Sequence, residues 1–321
     1  MENNIKIKKI YQPVLVTGST GMIGINLIKK LVSIGIRPYA IYRNKKKLIP
    51  FFSIKKKIRF IKLDLFNQKE LDRTIKRIKP KTIFHLASSY FNPPDLKFDD
   101  HINSNVLITL NLLLALKKSR IKNFVYTNTS AIYAPGRNIN ENSKIKCSSE
   151  YGLSKNITSD LIKSFSENYN FFYKDLRLFS IYGKWEKKSR LVCGAILKAL
   201  KKKKYIIHSS DQIRDYLNID DVVEAILLSS SVNKNLILNI CSNKSQKTHS
   251  LVRQIYDLMN CSRNLVKIKI DKTKYNKLTK MVGNNKKATI SLKWKPKISL
   301  ELGLKNTIEW LRLNKNLNKS L

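Results

Sequence analysis

Acidic residues are scarce in this chain: 22 Asp and Glu stand against 63 Lys and Arg, giving a formal net charge of +41. Such an excess is typical of proteins that bind nucleic acid or an anionic membrane surface. Here the lysines are spread along the whole chain, and the densest runs are Lys45–Lys47, Lys55–Lys57 and Lys201–Lys204. We interpret the charge as a general drift in composition and expect these runs on solvated faces. The sequence therefore favours an anionic substrate and does not predict nucleic-acid binding.

Cysteine and histidine are also rare, with four residues of each. The cysteines form no CxxC pair, and no His or Cys cluster has the spacing of metal ligands. We predict no metal site, and this cysteine usage fits a reducing cytoplasm.

Long apolar runs are missing as well. The N-terminus is polar and charged through Lys9, so it lacks the apolar core of a secretory signal. The most apolar helical stretch, Leu107–Leu116, contains Thr109 and Asn111 and is too short to span a bilayer. We expect a cytoplasmic protein without membrane insertion.

The first half of the chain alternates short apolar runs with helical patterns, and 42% of all residues are hydrophobic. This alternation predicts βαβ units, a parallel sheet and right-handed crossovers. The predicted strands are Val14–Val16, Pro38–Tyr42, Ile58–Leu63, Thr82–Leu86, Asn123–Thr127 and Phe171–Leu178. The predicted helices between them are Asn26–Ser33, Gln68–Ile78, Asn103–Lys118 and Tyr151–Asn168.

The rhythm breaks after Gly183, which indicates a second, smaller α/β part. Its predicted elements are helices Leu191–Leu200, Ile219–Ser229 and Thr248–Met259, strand Leu236–Ile240, and a final helix that includes Ile308–Leu313. We expect a doubly wound Rossmann domain over residues 1–182, to which 214–240 return, and a substrate-binding domain over 183–321.

A glycine turn follows the first strand directly and opens a helix. Gly18, Gly21 and Gly24 stand in Thr17-Gly-Ser-Thr-Gly-Met-Ile-Gly, in the strand–turn–helix setting of a dinucleotide site. The backbone can approach a pyrophosphate there, and the helix N-terminus offers free N–H groups. The alternative is a tight turn without a ligand.

The end of the second strand bears on which dinucleotide binds. An acidic residue there would bind the ribose 2′-hydroxyl of NAD, but this strand ends Tyr42-Arg43-Asn44 and is followed by three lysines. Arg43 could pair with the 2′-phosphate of NADP. The sequence thus favours NADP and leaves NAD possible, since Arg43 could also be a basic surface residue stacked on the adenine.

Tyr151 and Lys155 stand four residues apart and share one face of a predicted helix. A nearby ammonium lowers the pKa of a phenol, which otherwise lies near 10, so that Tyr151 could exchange a proton with substrate. Thr129, at the end of the fifth strand, could hydrogen-bond the same substrate oxygen. The alternatives are a solvated helix face and hydroxyls that only end the strand.

These motifs together resemble the extended short-chain dehydrogenase/reductase family, in its branch of nucleotide-sugar epimerases, dehydratases and reductases. The likeness runs along nearly the whole chain, through His85-Leu86-Ala87 and Leu176–Gly183 to Arg214–Asp221. It implies a homodimer joined through the helices at Asn103–Lys118 and Tyr151–Asn168.

The resemblance implies a role for each matching residue. Thr129, Tyr151 and Lys155 match the catalytic Ser/Thr, Tyr and Lys. The implied cofactor-binding residues are Gly18, Thr20, Gly21, Met22, Ile23, Gly24, Arg43, Asp64, Leu65, Leu86, Ala87, Ser88, Asn105, Tyr151, Lys155, Phe179 and Ile181. The implied substrate-binding residues are Ser88, Ser130, Ser180, Arg190, Leu191 and Arg214.

Departures from the family pattern narrow the activity. Its 4,6-dehydratases carry an Asp-Glu acid pair after the catalytic Thr, where this chain has Ser130 and Ala131. Our first hypothesis is NADPH-dependent reduction of a 4-keto nucleotide sugar for surface polysaccharide. The alternatives are a UDP-hexose 4-epimerase with bound NAD, and a non-catalytic dinucleotide sensor or RNA-binding protein on the same scaffold.

Overall fold

A computed structural model of the chain describes residues 10–88, 97–208, 212–269 and 280–314. Its strands are β1 Val14–Thr17, β2 Tyr39–Tyr42, β3 Arg59–Lys62, β4 Thr82–His85, β5 Asn123–Thr129, β6 Gly136–Ile139, β7 Phe172–Leu178, β8 Ser180–Tyr182, β9 Tyr205–Ile207, β10 Ile213–Arg214, β11 Tyr216–Asn218, β12 Leu236–Ile240, β13 Gln246–Lys247, β14 Val266–Ile268 and β15 Lys280–Gly283. Its α-helices are α1 Met22–Ser33, α2 Gln68–Ile78, α3 Phe98–His101, α4 Ile108–Leu116, α5 Glu150–Tyr169, α6 Leu191–Leu200, α7 Ile219–Ser230, α8 Thr248–Leu258, α9 Lys286–Leu292 and α10 Leu300–Leu313.

The chain divides into two compact units. The first comprises the chain up to Ile132 together with Ile145–Arg177 and Val223–Leu238. The second comprises Tyr133–Lys144, Leu178–Val222 and the chain from Asn239 onward.

The first unit is built on a seven-stranded sheet in the order β12-β7-β5-β4-β1-β2-β3. β1 pairs in parallel with both β2 and β4, β3 pairs in parallel with β2, and β5 with β4. The chain order therefore reverses next to β1, where doubly wound sheets bind ligands at the carboxyl ends of their strands. This architecture confirms the predicted Rossmann fold class.

Apolar burial explains why these segments form the sheet. All four residues of β1 and all four of β4 are buried, as expected for strands covered on both faces. Helices α2, α4 and α5 pack their apolar residues against the same core, which includes Leu71, Leu112 and Ile162.

Helix α1, the segment after β2 and the helix before β5 are among the parts of the first unit that differ from the predictions. Helix α1 begins at Met22 instead of Asn26, because Gly21 already has the extended backbone of an N-cap. The region Lys45–Lys57 forms 3-10 turns around the buried Phe51, while the lysines at both of its ends are exposed as predicted. The predicted helix Asn103–Lys118 contains a π-helical segment, Ile102–Leu107, before α4.

The second unit contains a four-stranded sheet in the order β13-β10-β15-β6 and two parallel pairs, β8 with β11 and β9 with β14. Its apolar core joins α6, α8 and α10 through Ile196, Ile255 and Leu304. Helix α6 has the predicted bounds.

Candidate active site

The glycine turn between β1 and α1 is tight because two of its glycines have no room for a side chain. Gly18 has φ +64°, and a Cβ there would lie 2.5 Å from the backbone of Leu86 and Ala87. A Cβ on Gly24 would lie 2.8 Å from the backbone of Ser19. The turn is also tied to β2, since the Ser19 hydroxyl donates to the Ile41 carbonyl at 2.6 Å.

Gly21 is different, because a Cβ there would meet only the Gly18 oxygen, at 3.4 Å. Packing within the protein therefore does not require this glycine, and its missing side chain leaves the backbone open to a group such as a pyrophosphate. The residues between and beside the three glycines, Thr20, Met22 and Ile23, form the turn and the first helical residues.

The N-terminus of α1 has the properties of an anion site. Its N-cap residue is Gly21, which has no side chain to accept a hydrogen bond from the first turn. That turn contains no acidic residue. Asn67, Ser149 and Ser299 cap α2, α5 and α10 through their side chains, whereas α6 and α8, like α1, have no side-chain cap among the described residues. Uncapped N–H groups and the positive end of the helix dipole suit a phosphate. The residues of this turn therefore fit a dinucleotide.

The carboxyl end of β2 carries Arg43 and no carboxylate. Arg43 is exposed. The side chain of Asn44 accepts a hydrogen bond from Lys46 N–H at 2.9 Å and so caps the 3-10 turns that follow. Lys45–Lys47 are exposed on the following turn. This end of the strand is thus entirely basic and polar.

The neighbouring strands end in the residues predicted for the cofactor. After β3, Asp64 is exposed and caps its own turn by accepting from Phe66 N–H at 3.1 Å, while Leu65 is buried. After β4, Leu86 and Ala87 are half-buried and Ser88 is exposed. Because β1 to β4 are parallel, these residues and the glycine turn lie along one edge of the sheet.

Helix α5 approaches the end of β5 closely at Gly152. A Cβ on Gly152 would lie 2.6 Å from the Ala131 carbonyl oxygen, so only glycine allows this contact. Thr129 ends β5 and accepts from Ala131 N–H at 3.2 Å, which orients its hydroxyl in the same turn. The structure thus brings the turn that contains Thr129 and Ser130 against the first residues of α5, where Tyr151 lies.

Lys155 is held by β5 on the buried side of α5. Its Nζ donates to the Thr127 carbonyl at 2.7 Å and lies 4.1 Å from the centroid of the Tyr126 ring. Burial lowers its pKa to about 7, an effect that the carboxylate of Asp175 partly opposes. Tyr126 also donates through its hydroxyl to the Lys155 carbonyl at 3.3 Å, so helix and strand are linked twice.

Two features near Tyr151 were not predicted from the sequence. The His101 ring meets the Tyr151 ring edge-on, with centroids 5.8 Å apart. Asn105 lies in the π-helical segment and its side-chain amide donates to the Ser154 hydroxyl at 2.8 Å. Two polar residues in an otherwise apolar helix, Asn105 and Thr109, were the available signal for a polar contact there.

The sequence model of the NAD dependent epimerase/dehydratase family matches residues 14–241, which is well over half of the chain. The chain belongs to this family. The resemblance to extended short-chain dehydrogenases/reductases that act on nucleotide sugars is confirmed, and the chain is an enzyme of that family.

Relatives span nearly the whole chain. A putative UDP-glucose 4-epimerase of Methanocaldococcus jannaschii is 29% identical, with 94% of this chain and 99% of the relative covered. A solved dTDP-glucose 4,6-dehydratase of Bacillus anthracis in complex with NAD superposes with TM-score 0.85 at 23% identity, covering 96% of this chain and 98% of that chain. A UDP-glucuronic acid 4-epimerase of Bacillus cereus, with UDP-glucuronic acid and NAD, gives 0.85 at 22%, covering 94% and 99%.

The remaining predicted site residues belong to the second unit. Phe179 is buried, and Ser180 and Ile181 lie half-buried on β8, where Ser180 N–H donates to the Asp215 carbonyl at 3.0 Å. Arg190 is the N-cap residue of α6, which begins with Leu191. Arg214 ends β10 and is half-buried.

The described residues contain no group of three or more His, Cys, Asp or Glu side chains that could hold a metal ion. In those same ranges, no helix combines the length and apolar character needed to cross a membrane.

Proposed function

We propose that this enzyme reduces the 4-keto group of a nucleotide sugar, a 4-keto-6-deoxy sugar in the first instance, with NADPH. When bound, NADPH supplies the hydride that C4 receives. The Tyr151 phenol donates the proton to the C4 oxygen, and the Thr129 hydroxyl hydrogen-bonds that oxygen as its charge develops. Lys155 holds the nicotinamide ribose and, when cationic, stabilises the phenolate left on Tyr151.

The observation that carries this proposal is the end of β2. It presents Arg43 to solvent beside three exposed lysines and offers no carboxylate to the ribose 2′-hydroxyl. A guanidinium matches the oxygens of a 2′-phosphate. NADPH is the cofactor that a reductase consumes, whereas an epimerase regenerates its own cofactor within one catalytic cycle and needs no exchange.

Dehydration at C5 and C6 is not part of the proposal. The residues after Thr129 are the half-buried Ser130 and the buried Ala131. Neither side chain exchanges protons at neutral pH as the Asp-Glu pair of the family's 4,6-dehydratases does.

On the substrate side, the resemblance supports Arg214 as the residue that binds the diphosphate, with Ser88, Ser130 and Ser180 near the sugar. Arg190 and Leu191 would contact the nucleotide at the start of α6. Anionic diphosphate and a basic chain are electrostatically complementary.

A nucleotide-sugar 4-epimerase with bound NAD is the second candidate. The similarity to the M. jannaschii and B. cereus proteins, which are described as 4-epimerases, favours it. The same Thr129, Tyr151 and Lys155 would then act in both directions on one sugar.

The first experiment mixes purified protein with NADPH and 4-keto-6-deoxy nucleotide sugars of several bases, and follows the nicotinamide absorbance. We expect NADPH oxidation with at least one of them, and a Tyr151→Phe variant slower by about 100-fold or more. If NADPH is oxidised with none of these nucleotide sugars, the result contradicts the proposed reductase. The dinucleotide released on denaturation separates the candidates, because NAD that copurifies supports the epimerase.

A further inference from the structure

A line of buried polar side chains runs from the glycine turn to the catalytic helix. It consists of Thr17, His85, Thr109, Asn105 and Ser154, each with an exposed fraction of 0% or 1%. Thr17 precedes Gly18, and Ser154 lies on α5 between Tyr151 and Lys155. Buried polar groups are expensive unless they are hydrogen-bonded, so their contacts need a complete account.

The hydrogen bonds of this line admit one assignment of protons. The Thr109 hydroxyl donates its only hydrogen to the Asn105 carbonyl, so it must accept from His85 Nε2, 2.8 Å away. A neutral imidazole carries one hydrogen, so Nδ1 is an acceptor and takes the Thr17 hydroxyl hydrogen at 2.8 Å. Thr17 Oγ1 in turn accepts from Ala87 N–H at 3.3 Å.

The line continues into α5, and each hydrogen bond again runs from donor to acceptor toward the catalytic helix. The Asn105 amide donates to the Ser154 hydroxyl at 2.8 Å, and Ser154 donates to the Tyr151 carbonyl at 2.9 Å. Hydrogen bonds therefore lead from the backbone beside the glycine turn to the backbone of Tyr151, and each hydroxyl in it donates once.

His85 can occupy the middle of the line only while it is neutral. Burial and, to a lesser extent, the nearby charge of Lys155 together lower its pKa to about 3. A protonated ring would donate from both nitrogens, would deprive Thr17 of its acceptor, and would repel the Lys155 ammonium.

We propose that His85, fixed as the Nε2–H tautomer by Thr109, is a positioning residue that holds α5, with Tyr151 and Lys155, in place relative to the dinucleotide turn. The inference rests on the proposed hydride transfer only for its kinetic consequence. A displacement of about 1 Å between reacting groups can cost about 100-fold in rate, which gives such a line a catalytic effect without substrate contact.

Thr109→Val tests the proposal, because it keeps the shape of the side chain and removes the acceptor of His85. Thr307→Val is the matched control: Thr307 is 1% exposed and donates to the carbonyl four residues earlier, Gly303, as Thr109 does to Asn105. Thr109→Ser restores the hydroxyl and keeps the test decisive if valine harms folding.

The first readout is nitrogen NMR of protein with labelled histidines, with His85 assigned through His85→Gln. We expect a neutral Nε2–H ring in wild type and in Thr109→Ser, and a mixture of tautomers in Thr109→Val. A wild-type ring protonated on Nδ1, or one that titrates near neutral pH, would overturn the proposal. This readout needs no substrate, so it decides the inference even if the wild type reduces no 4-keto sugar.

The second readout is the steady-state rate of whichever nucleotide-sugar reaction the wild type performs. We expect kcat to fall about 10-fold or more in Thr109→Val, with KM for the nucleotide sugar within about twofold, and to recover in Thr109→Ser. Equal kcat values in Thr109→Val and Thr307→Val would overturn the positioning role. Absence of any wild-type turnover would instead count against the proposed function.

Discussion

Gly21 and Gly24 lie three residues apart on one turn, but packing within the protein requires a glycine only at Gly24. Gly24 has backbone atoms of Ser19 at 2.8 Å from the place of a Cβ, whereas Gly21 has only one atom, at 3.4 Å. We therefore propose that Gly21 serves ligand binding, whereas Gly24 serves the fold.

This difference predicts opposite phenotypes. We expect Gly24→Ala to lower the free energy of unfolding of the ligand-free protein by about 1–3 kcal/mol, because a forced contact shifts the backbone. Gly21→Ala should leave that free energy nearly unchanged and weaken dinucleotide binding. Chemical denaturation and dinucleotide titration of both variants measure the two effects, and equal losses of stability would contradict the assignment.

We propose that Arg43 determines the choice of cofactor. We expect Arg43→Asp to reduce the ratio of kcat/KM for NADPH to that for NADH by about 10- to 100-fold, since a charged hydrogen bond to the 2′-phosphate is lost. Lys45→Asp is the control for net charge, because Lys45 is exposed two residues further on. A wild-type enzyme that prefers NADH, or two variants with equal ratios, would refute the role of Arg43.

The buried ammonium of Lys155 makes stability depend on pH. Its pKa lies near 7 in the folded chain against 10.5 for a free lysine. Between these values the unfolded chain binds more protons, so the free energy of unfolding rises with pH, by at most about 1.4 kcal/mol per unit. Below the lower value both states are protonated and the burial cost is fully present.

Lys155→Met should reduce this rise, to which Lys174 also contributes because burial lowers its pKa to about 7 as well. Lys201→Met, at an exposed position, should leave the rise unchanged. Denaturant unfolding at a series of pH values between neutral and alkaline measures the difference. Parallel curves for wild type and Lys155→Met would show that Lys155 does not carry the effect.

At the scale of elements, the periodicity of apolar residues predicted the regular helices and strands. It did not predict the segments whose backbone depends on individual contacts. Helix α2 was predicted with its correct bounds because its apolar residues recur at helical spacing between an Asn cap and a left-handed Lys79. The 3-10 turns at Lys45–Lys57 were not predicted, since only Phe51 is buried there and no period results. The π-helical segment Ile102–Leu107 was also not predicted, because a segment of six residues is too short to show a period of its own in the sequence.

A row of apolar residues on α5, on α4 and on the π-helical segment before α4 supports the predicted homodimer. Leu107, Leu114, Leu153 and Ile157 are each 37–39% exposed. They recur at intervals of seven and four residues, which places each pair on one helical face. We propose that this row packs against the same row of a second copy.

Light scattering at micromolar concentration should therefore give about twice the chain mass of 37.2 kDa. Leu114→Lys combined with Ile157→Lys should shift the protein to the monomer, whereas Leu302→Lys on α10, which is 49% exposed, should not. A wild type of single-chain mass would refute the dimer.

At the scale of the molecule, the doubly wound parallel sheet followed from the alternation of strands and helices in the sequence. The residues proposed to bind the cofactor come from motifs at strand ends, and the carboxyl ends of parallel strands share one edge of the sheet. The buried line through His85 did not follow, since it joins five residues from four separate segments. Only tertiary packing brings Thr17, Thr109 and Ser154 to the same place.

Deuteride transfer tests the central claim most directly. The enzyme is incubated with NADPH deuterated at the transferred position of the nicotinamide and with the 4-keto nucleotide sugar that it accepts, and the sugar is examined by mass spectrometry and NMR. We predict one deuterium atom at C4 of the product, and formation of this product slower by about 100-fold or more with Tyr151→Phe. A product without deuterium, or interconversion of sugars without consumption of NADPH, would contradict the reductase and leave the epimerase.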